Sequence, residues 1–224
     1  MKEAVTLLSG GLDSTTLLYY LKCNGYVPHA LSFNYKQRHE KELDSARKVA
    51  LLAHVKSHKV VDISSISELI SKGALTGDDA VPEEHYSHES QKITIVPNRN
   101  AILLSLAVGY AIKLGINTVA YAAHYSDRAI YPDCRWEFVD TFQTAMRLAN
   151  GIQTLTVWAP FINMTKAEIV NMGSKIRVPF EATWSCYKGG EKACGVCGTC
   201  RERIEAFQLN RLKDPIQYEV EIQW

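Results

Sequence analysis

An apolar run ending at Leu7 and Leu8 breaks into Ser9-Gly10-Gly11-Leu12-Asp13-Ser14-Thr15, and helical spacing resumes through Leu17, Leu18 and Leu21. Few folds accommodate that text other than a strand, a tight turn and the start of a helix. Consecutive glycines allow positive φ and let the backbone approach a ligand without a Cβ in the way. The hydroxyls of Ser9, Ser14 and Thr15 then converge with the free amides of a helix start, where the helix dipole adds positive character. This is a cradle for phosphate. A Walker-type loop would carry a lysine after its last glycine, whereas Leu12 and Asp13 stand here, so a different phosphate chemistry is implied. An ordinary strand-to-helix bend would use the same two glycines.

Apolar, β-rich runs at residues 4–8, 27–35, 57–62, 118–122 and 155–159 alternate with helical patterns. That alternation predicts an α/β fold, an open parallel sheet with helices on both faces. Residues 99–114 place Leu103, Leu104, Ala107, Val108, Ala111 and Ile112 at helical spacing, and Thr165-Lys166-Ala167-Glu168 reads as a capping box opening a helix that runs to about Lys175. Residues 73–92 are polar and aperiodic, which predicts a loop. From Pro179 the alternation stops; a short helical pattern over 201–209 precedes an extended tail through Tyr218, Val220 and Ile222. The expected organisation is one α/β domain over residues 1–178 with a small C-terminal segment, 179–224, packed on it. In such sheets ligands lie outside the carboxyl ends of the strands, so the loops after residues 8, 35 and 122 should meet over one cleft.

The chain has 224 residues, 46% hydrophobic and 22% charged, with a formal net charge of +1. It is globular by these measures and lacks a global field toward nucleic acid or anionic membranes. No apolar run near bilayer-spanning length is expected, and the start does not read as a signal peptide. A cytoplasmic protein acting on a small anionic substrate fits best. Cys186, Cys194, Cys197 and Cys200 crowd into fifteen residues, with Gly195 and Gly198 after two of them. In a reducing compartment this reads as a closed, structural tetrahedral Zn2+ site, with an iron–sulfur cluster or free thiols as the alternatives.

The Ser9–Ser14 loop resembles the SGGxDS loop of the PP-loop ATP pyrophosphatases. The interior strings Phe33-Asn34-Tyr35-Lys36-Gln37-Arg38-His39, Val96-Pro97-Asn98-Arg99-Asn100, Tyr131-Pro132-Asp133-Cys134-Arg135 and Thr183-Trp184-Ser185-Cys186-Tyr187 are together similar to the 7-cyano-7-deazaguanine synthase family of queuosine and archaeosine biosynthesis. The resemblance runs from the first strand to about Tyr218. It implies an adenine nucleotide alpha hydrolase-like, Rossmann-like fold and an ATP-dependent ligase. In that reaction 7-carboxy-7-deazaguanine is adenylated, ammonia displaces AMP to give an amide, and a second activation dehydrates the amide to the nitrile. It also implies Mg2+ and a homodimer.

Site residues follow from the resemblance. Leu8, Ser9, Gly10, Gly11, Leu12, Asp13, Ser14, Thr15, Thr16, Leu17 and Leu18 form the nucleotide-binding stretch, with Asp13 helping to hold magnesium. Arg99 and Asn100 face the phosphates or the activated carboxyl group; a surface ion pair is the other reading of Arg99. Tyr35, Arg38 and His39 flank the deazaguanine, or form a turn leading into a helix. Asp133, then Asp127, is the carboxylate expected to accept from the guanine-like edge, with Tyr131 beside them. His124 is a catalytic candidate as base for the incoming amine, or a packed histidine. Two departures stand out: Asn98 and Lys36 replace glycines of the family pattern. Asn tolerates left-handed backbone, whereas Lys36 adds bulk and charge beside the presumed pocket.

Other readings keep the adenylation but change the target, as in PP-loop tRNA-modifying enzymes, or join a deazapurine carboxylate to a different amine. Near-neutral charge and the lack of an added basic module argue against an RNA partner. A zinc-knuckle nucleic-acid module would use Arg201, Arg203 and Arg211 but leave the phosphate cradle unexplained.

Overall fold

A computed structural model describes residues 1–35, 41–70, 83 and 89–224. Strands β1 (Lys2–Leu7), β2 (Tyr26–Asn34), β3 (Ser57–Asp62), β4 (Thr118–Ala120) and β5 (Thr156–Trp158) form one parallel sheet in the order β3-β2-β1-β4-β5. Val5 of β1 lies between His29 of β2 and Val119 of β4. The helices are α1 (Leu12–Cys23), α2 (Lys41–Leu52), α3 (Ser64–Ile70), α4 (Arg99–Lys113), α5 (Trp136–Asn150), α6 (Lys166–Lys175) and α7 (Gly198–Leu209).

Successive strand residues face opposite sides. Val5, Leu31 and Val119 enter a core with Leu104 and Val108 of α4 and Val139 and Phe142 of α5. Ala4 and Ala120 face the other way, into a core with Leu17 and Leu21 of α1, Ile169 of α6 and Phe207 of α7, while Ala30 packs under α1 and α2. The doubly covered α/β sheet expected from the alternation is therefore present. Strand order reverses at β1, so the crevice between the carboxyl ends of β1 and β4 is the place where such a sheet binds ligands.

Element limits differ from expectation in ways that trace to the cleft. β4 and β5 are shorter than the runs at 118–122 and 155–159 because the chain leaves the ladder early. After one further bond, from the Tyr121 N–H to the Trp158 carbonyl at 3.1 Å, the Tyr121 hydroxyl turns to the Asp133 carbonyl at 3.1 Å. The capping box is real: Thr165 Oγ1 accepts from the Glu168 N–H at 3.3 Å, and Glu168 accepts from the Thr165 N–H at 2.8 Å. α7 begins three residues before the expected 201, at the turn that carries the last cysteines. The expected extended tail forms no strand; a single bridge joins Ala193 to Tyr218. Most of the polar stretch 73–92 lies outside the described residues, and its end forms a short 3-10 helix, Glu89–Thr94.

By length and composition alone the stretch Lys92–Lys113 could cross a bilayer, but it is not one helix, since α4 starts only at Arg99, after the left-handed Asn98. Its apolarity has a use in the fold, since Leu104, Ala107, Val108 and Ala111 of α4 are buried against the sheet.

Candidate active site

The β1–α1 loop has the form of an anion cradle. The Ser9 N–H donates to Ser14 Oγ at 3.2 Å, the Gly11 N–H to Ser9 Oγ at 3.2 Å, and the Ser14 hydroxyl to the Gly11 carbonyl at 3.2 Å. Gly11 occupies the N-cap of α1 with no side-chain cap, so the first-turn amides face the crevice. Gly10 sits at φ +85°, and a Cβ there would collide with the Glu42 carbonyl and the Ala46 amide of α2. Glycine is thus required twice at this position, by conformation and by packing.

Beneath the loop lies a buried ionic cluster. Lys166, the first residue of α6, places Nζ 3.4 Å from Asp13 Oδ2 and 2.5 Å from Glu202 Oε2 of α7. His124 Nε2 lies 3.3 Å from Asp127 Oδ2 and 3.7 Å from Asp13 Oδ2. Burial alone would raise Asp13, but the Lys166 and His124 charges hold its carboxyl well below the ordinary carboxylate range. Burial likewise works against the charge on His124, yet Asp127 and Asp13 push it up to about 9. Lys166 stays charged against its desolvation through Asp13 and Glu202. Asp13 Oδ1 and Thr15 Oγ1 are buried with no hydrogen-bond partner among the described residues, which is the expected state of groups awaiting a ligand.

The opposite wall is aromatic and carries the Arg99 guanidinium. Arg99 opens α4 directly after Asn98, whose φ of 60° is left-handed. The tolerance expected of asparagine at a glycine position is therefore in use. The Arg99 guanidinium lies 5.9 Å from the Tyr131 ring centroid. Burial works against its charge, and the Asp133 carboxylate is the nearby anion that favours it, within a surround of Tyr35, Tyr131 and Tyr187. The Tyr131 hydroxyl is 2.6 Å from Thr94 Oγ1. Glu42, at the start of α2, lines the same cleft; burial raises its carboxyl to about 7 against the opposing pull of Arg99.

The four cysteine sulfurs lie within 4.8 Å of one another, and all four residues are buried. A tetrahedral ion bonded at about 2.3 Å to each sulfur would separate them by a comparable distance. The N–H groups of Lys188 and Cys194 both donate to Cys186 Sγ at 3.4 Å, and the Cys197 N–H donates to Cys194 Sγ at 3.3 Å, as bound thiolates require. The knot reaches the phosphate loop directly: the Trp184 N–H donates to the Gly10 carbonyl at 2.9 Å, and the Trp184 indole N–H to the Cys186 carbonyl at 3.0 Å.

A lysine-free cradle and an Arg-tyrosine wall thus share one crevice, and the four-cysteine knot is braced against it through Trp184. Residues 3–211 match the model of a family described as queuosine biosynthesis protein QueC. The chain belongs to the QueC family. It is 59% identical over 214 residues to a 7-cyano-7-deazaguanine synthase of Archaeoglobus fulgidus, covering 96% of this chain and 89% of that one. A protein of the same name from Caldicellulosiruptor bescii is 51% identical over 222 residues, covering 99% and 100%. Among solved structures, a predicted tRNA methyltransferase subunit from Methanocaldococcus jannaschii is similar in fold at TM-score 0.51 and 15% identity, over 78% of this chain and 76% of that one. A 4-thiouridine synthetase, solved with RNA and ATP, is similar at TM-score 0.51 and 18% identity, over 78% and 40%.

In this QueC-family chain the crevice gathers Leu8, Ser9, Gly11, Leu12, Asp13, Ser14, Tyr35, Arg99, Asn100, Asp127 and Tyr131. Leu17 and Leu18 belong to the core behind the loop, and the Thr16 hydroxyl donates to the Leu12 carbonyl at 2.8 Å. His124 lies under the crevice, 1% exposed. Asp133 accepts from the Asn100 N–H at 3.3 Å, at the start of α4. Arg38 and His39, with Lys36, fall outside the described residues. Arg203, one of the cations of the nucleic-acid reading, is buried on Asp214. Glu42 and Lys166 line the cleft without having been named as site residues from sequence, as do Trp184 and Tyr187, which enter the sequence reading only as part of a family string. Lys166 is visible there only as the residue after a helix cap, because its carboxylate partners are distant in the chain.

Proposed function

We propose that this chain is an ATP-dependent carbon–nitrogen ligase that converts 7-carboxy-7-deazaguanine and ammonia to 7-cyano-7-deazaguanine, within queuosine or archaeosine biosynthesis. The observation that carries the reading is the meeting of the lysine-free phosphate loop with the Arg99–tyrosine wall at the β1–β4 crevice, in a chain of the QueC family. A carboxylate is a poor electrophile because oxide does not leave; adenylation supplies a leaving group. The loop amides and the Ser9 and Ser14 hydroxyls bind the β,γ-pyrophosphate. Arg99 neutralises charge that grows at the α-phosphorus, where a desolvated guanidinium acts most strongly. Lys166 and the protonated His124 keep Asp13 ionised beneath the phosphates, so His124 supplies charge at neutral pH.

The unpartnered Asp13 oxygen is the group that would hold Mg2+, and the ion when bound would offset the pyrophosphate charge. The four thiolates form a closed set without an open position, which suits a structural Zn2+ ion. On this reading residues from 179 onward are a metal-binding appendage to the α/β domain, and the enzyme is a cytoplasmic homodimer. Tyr35, Tyr131 and Asp127 hold the flat deazaguanine, together with Arg38, His39 and Asp133. The test is exchange of labelled pyrophosphate into ATP. Exchange is expected with 7-carboxy-7-deazaguanine and not with unrelated carboxylates, followed by nitrile when ammonia is added. No exchange with this acid and no nitrile would overturn the assignment.

A further inference from the structure

Amide formation asks for one thing that the groups described above do not supply. Near neutral pH ammonia is present as ammonium, which has no lone pair; Lys166 and Arg99 are cations that cannot take its proton, and His124 is buried under the crevice with Nε2 turned to Asp127 and Asp13. Asp13 and Asp127 are carboxylates engaged with Lys166 and His124. Glu42 differs from them in place and in partners. It lines the crevice on the side opposite β4, at the start of α2. Its backbone is pressed against Gly10 of the phosphate loop, closely enough that a Cβ on Gly10 would strike the Glu42 carbonyl. The carboxyl is therefore carried on a helix start packed against the loop that is to bind the nucleotide. The charged group that acts on its carboxyl is the Arg99 guanidinium, and Glu42 in turn acts on the Tyr35 phenol.

We propose that Glu42 is the catalytic residue that takes a proton from ammonium at the acyl adenylate. This rests on the ligase reading above. One N–H proton of ammonium passes to the Glu42 carboxylate. The freed nitrogen pair forms the C–N bond to the acyl carbon, the C–O bond to AMP breaks with its electron pair leaving on AMP, and the second surplus proton goes to solvent. A carboxyl raised to about 7 by burial suits the task, since a base works best with a pKa near the operating pH. Arg99 beside it disfavours a resident cation, so ammonium is held only until it has lost its charge.

The experiment compares wild type with Glu42→Gln and Glu42→Asp in three assays: pyrophosphate exchange driven by 7-carboxy-7-deazaguanine, amide formation from ammonia, and hydroxamate formation from hydroxylamine, which is neutral at neutral pH. For Glu42→Gln, exchange and hydroxamate formation are expected within a fewfold of wild type, with amide formation down by about 10²-fold or more, the usual scale of a lost general base. Glu42→Asp should recover part of the amide rate. Equal losses in all three assays, or wild-type amide formation by Glu42→Gln, would overturn the assignment. Absence of exchange in the wild type would instead overturn the ligase reading, and this proposal with it.

Discussion

At the scale of single residues, a side chain with five hydrogen bonds lies outside the crevice. Arg203 is 1% exposed and donates to both oxygens of Asp214 at 2.6 and 2.9 Å, to Thr183 Oγ1 at 2.7 Å, to Ser185 Oγ at 3.3 Å and to the Phe180 carbonyl at 3.2 Å. It fixes the segment that carries Trp184 to the C-terminal tail. Arg203→Ala should lower the unfolding free energy in a denaturant titration by about 3–5 kcal/mol, because Asp214 is left buried without its countercharge. Arg203→Lys should recover little, since an ammonium cannot span both carboxylate oxygens. Legibility at this scale follows sequence distance. The phosphate loop could be read because its donors are neighbours in the chain, and Asn98 because φ preference is local. Glu42, Lys166 and Arg203 could not, because each takes its meaning from a partner on another element.

Elements were legible where apolar period alone decides them. β3 and α6 match the reading closely, and α4 to within one residue at its end. Misjudged limits occur where a tertiary demand intervenes: β4 stops early to supply the crevice, and α7 starts early because Cys197 serves as its N-cap and Cys200 lies in its first turn. The dependence of α7 on the knot makes it the element most sensitive to metal. Purified protein is expected to contain about one zinc per chain by elemental analysis. Removing it with a chelator should raise amide hydrogen exchange over the knot and the first turns of α7 while β1 to β3 stay protected. Uniform protection after complete metal loss would count against a structural role.

For the whole molecule, the reversal of strand order at β1 was foreseeable from alternation together with an N-terminal phosphate loop, whereas which helices cover which face was not. Stability as a function of pH reports on the assembled crevice. Glu42 is raised from 4.5 to about 7 by burial, so the folded state binds the proton more tightly than the unfolded chain. The contribution is fully present below pH 4.5 and is lost as pH rises through about 7, amounting to about 3 kcal/mol. Thermal unfolding of wild type and Glu42→Gln across this range should show the wild type losing stability relative to the variant as pH rises. Parallel profiles would remove Glu42 from the buried crevice.

The hydrogen bond from the Trp184 N–H to the Gly10 carbonyl also imposes an order in time. Synthesis delivers the phosphate loop well before Trp184, and the four cysteines that surround the Trp184 turn follow it. A growing chain can pair β1 with β2 early, but it has no finished nucleotide cradle until the cysteines have left the ribosome. The contact that braces the phosphate loop from the C-terminal side is therefore a late, long-range one, of the kind that forms only after the local strand pairing.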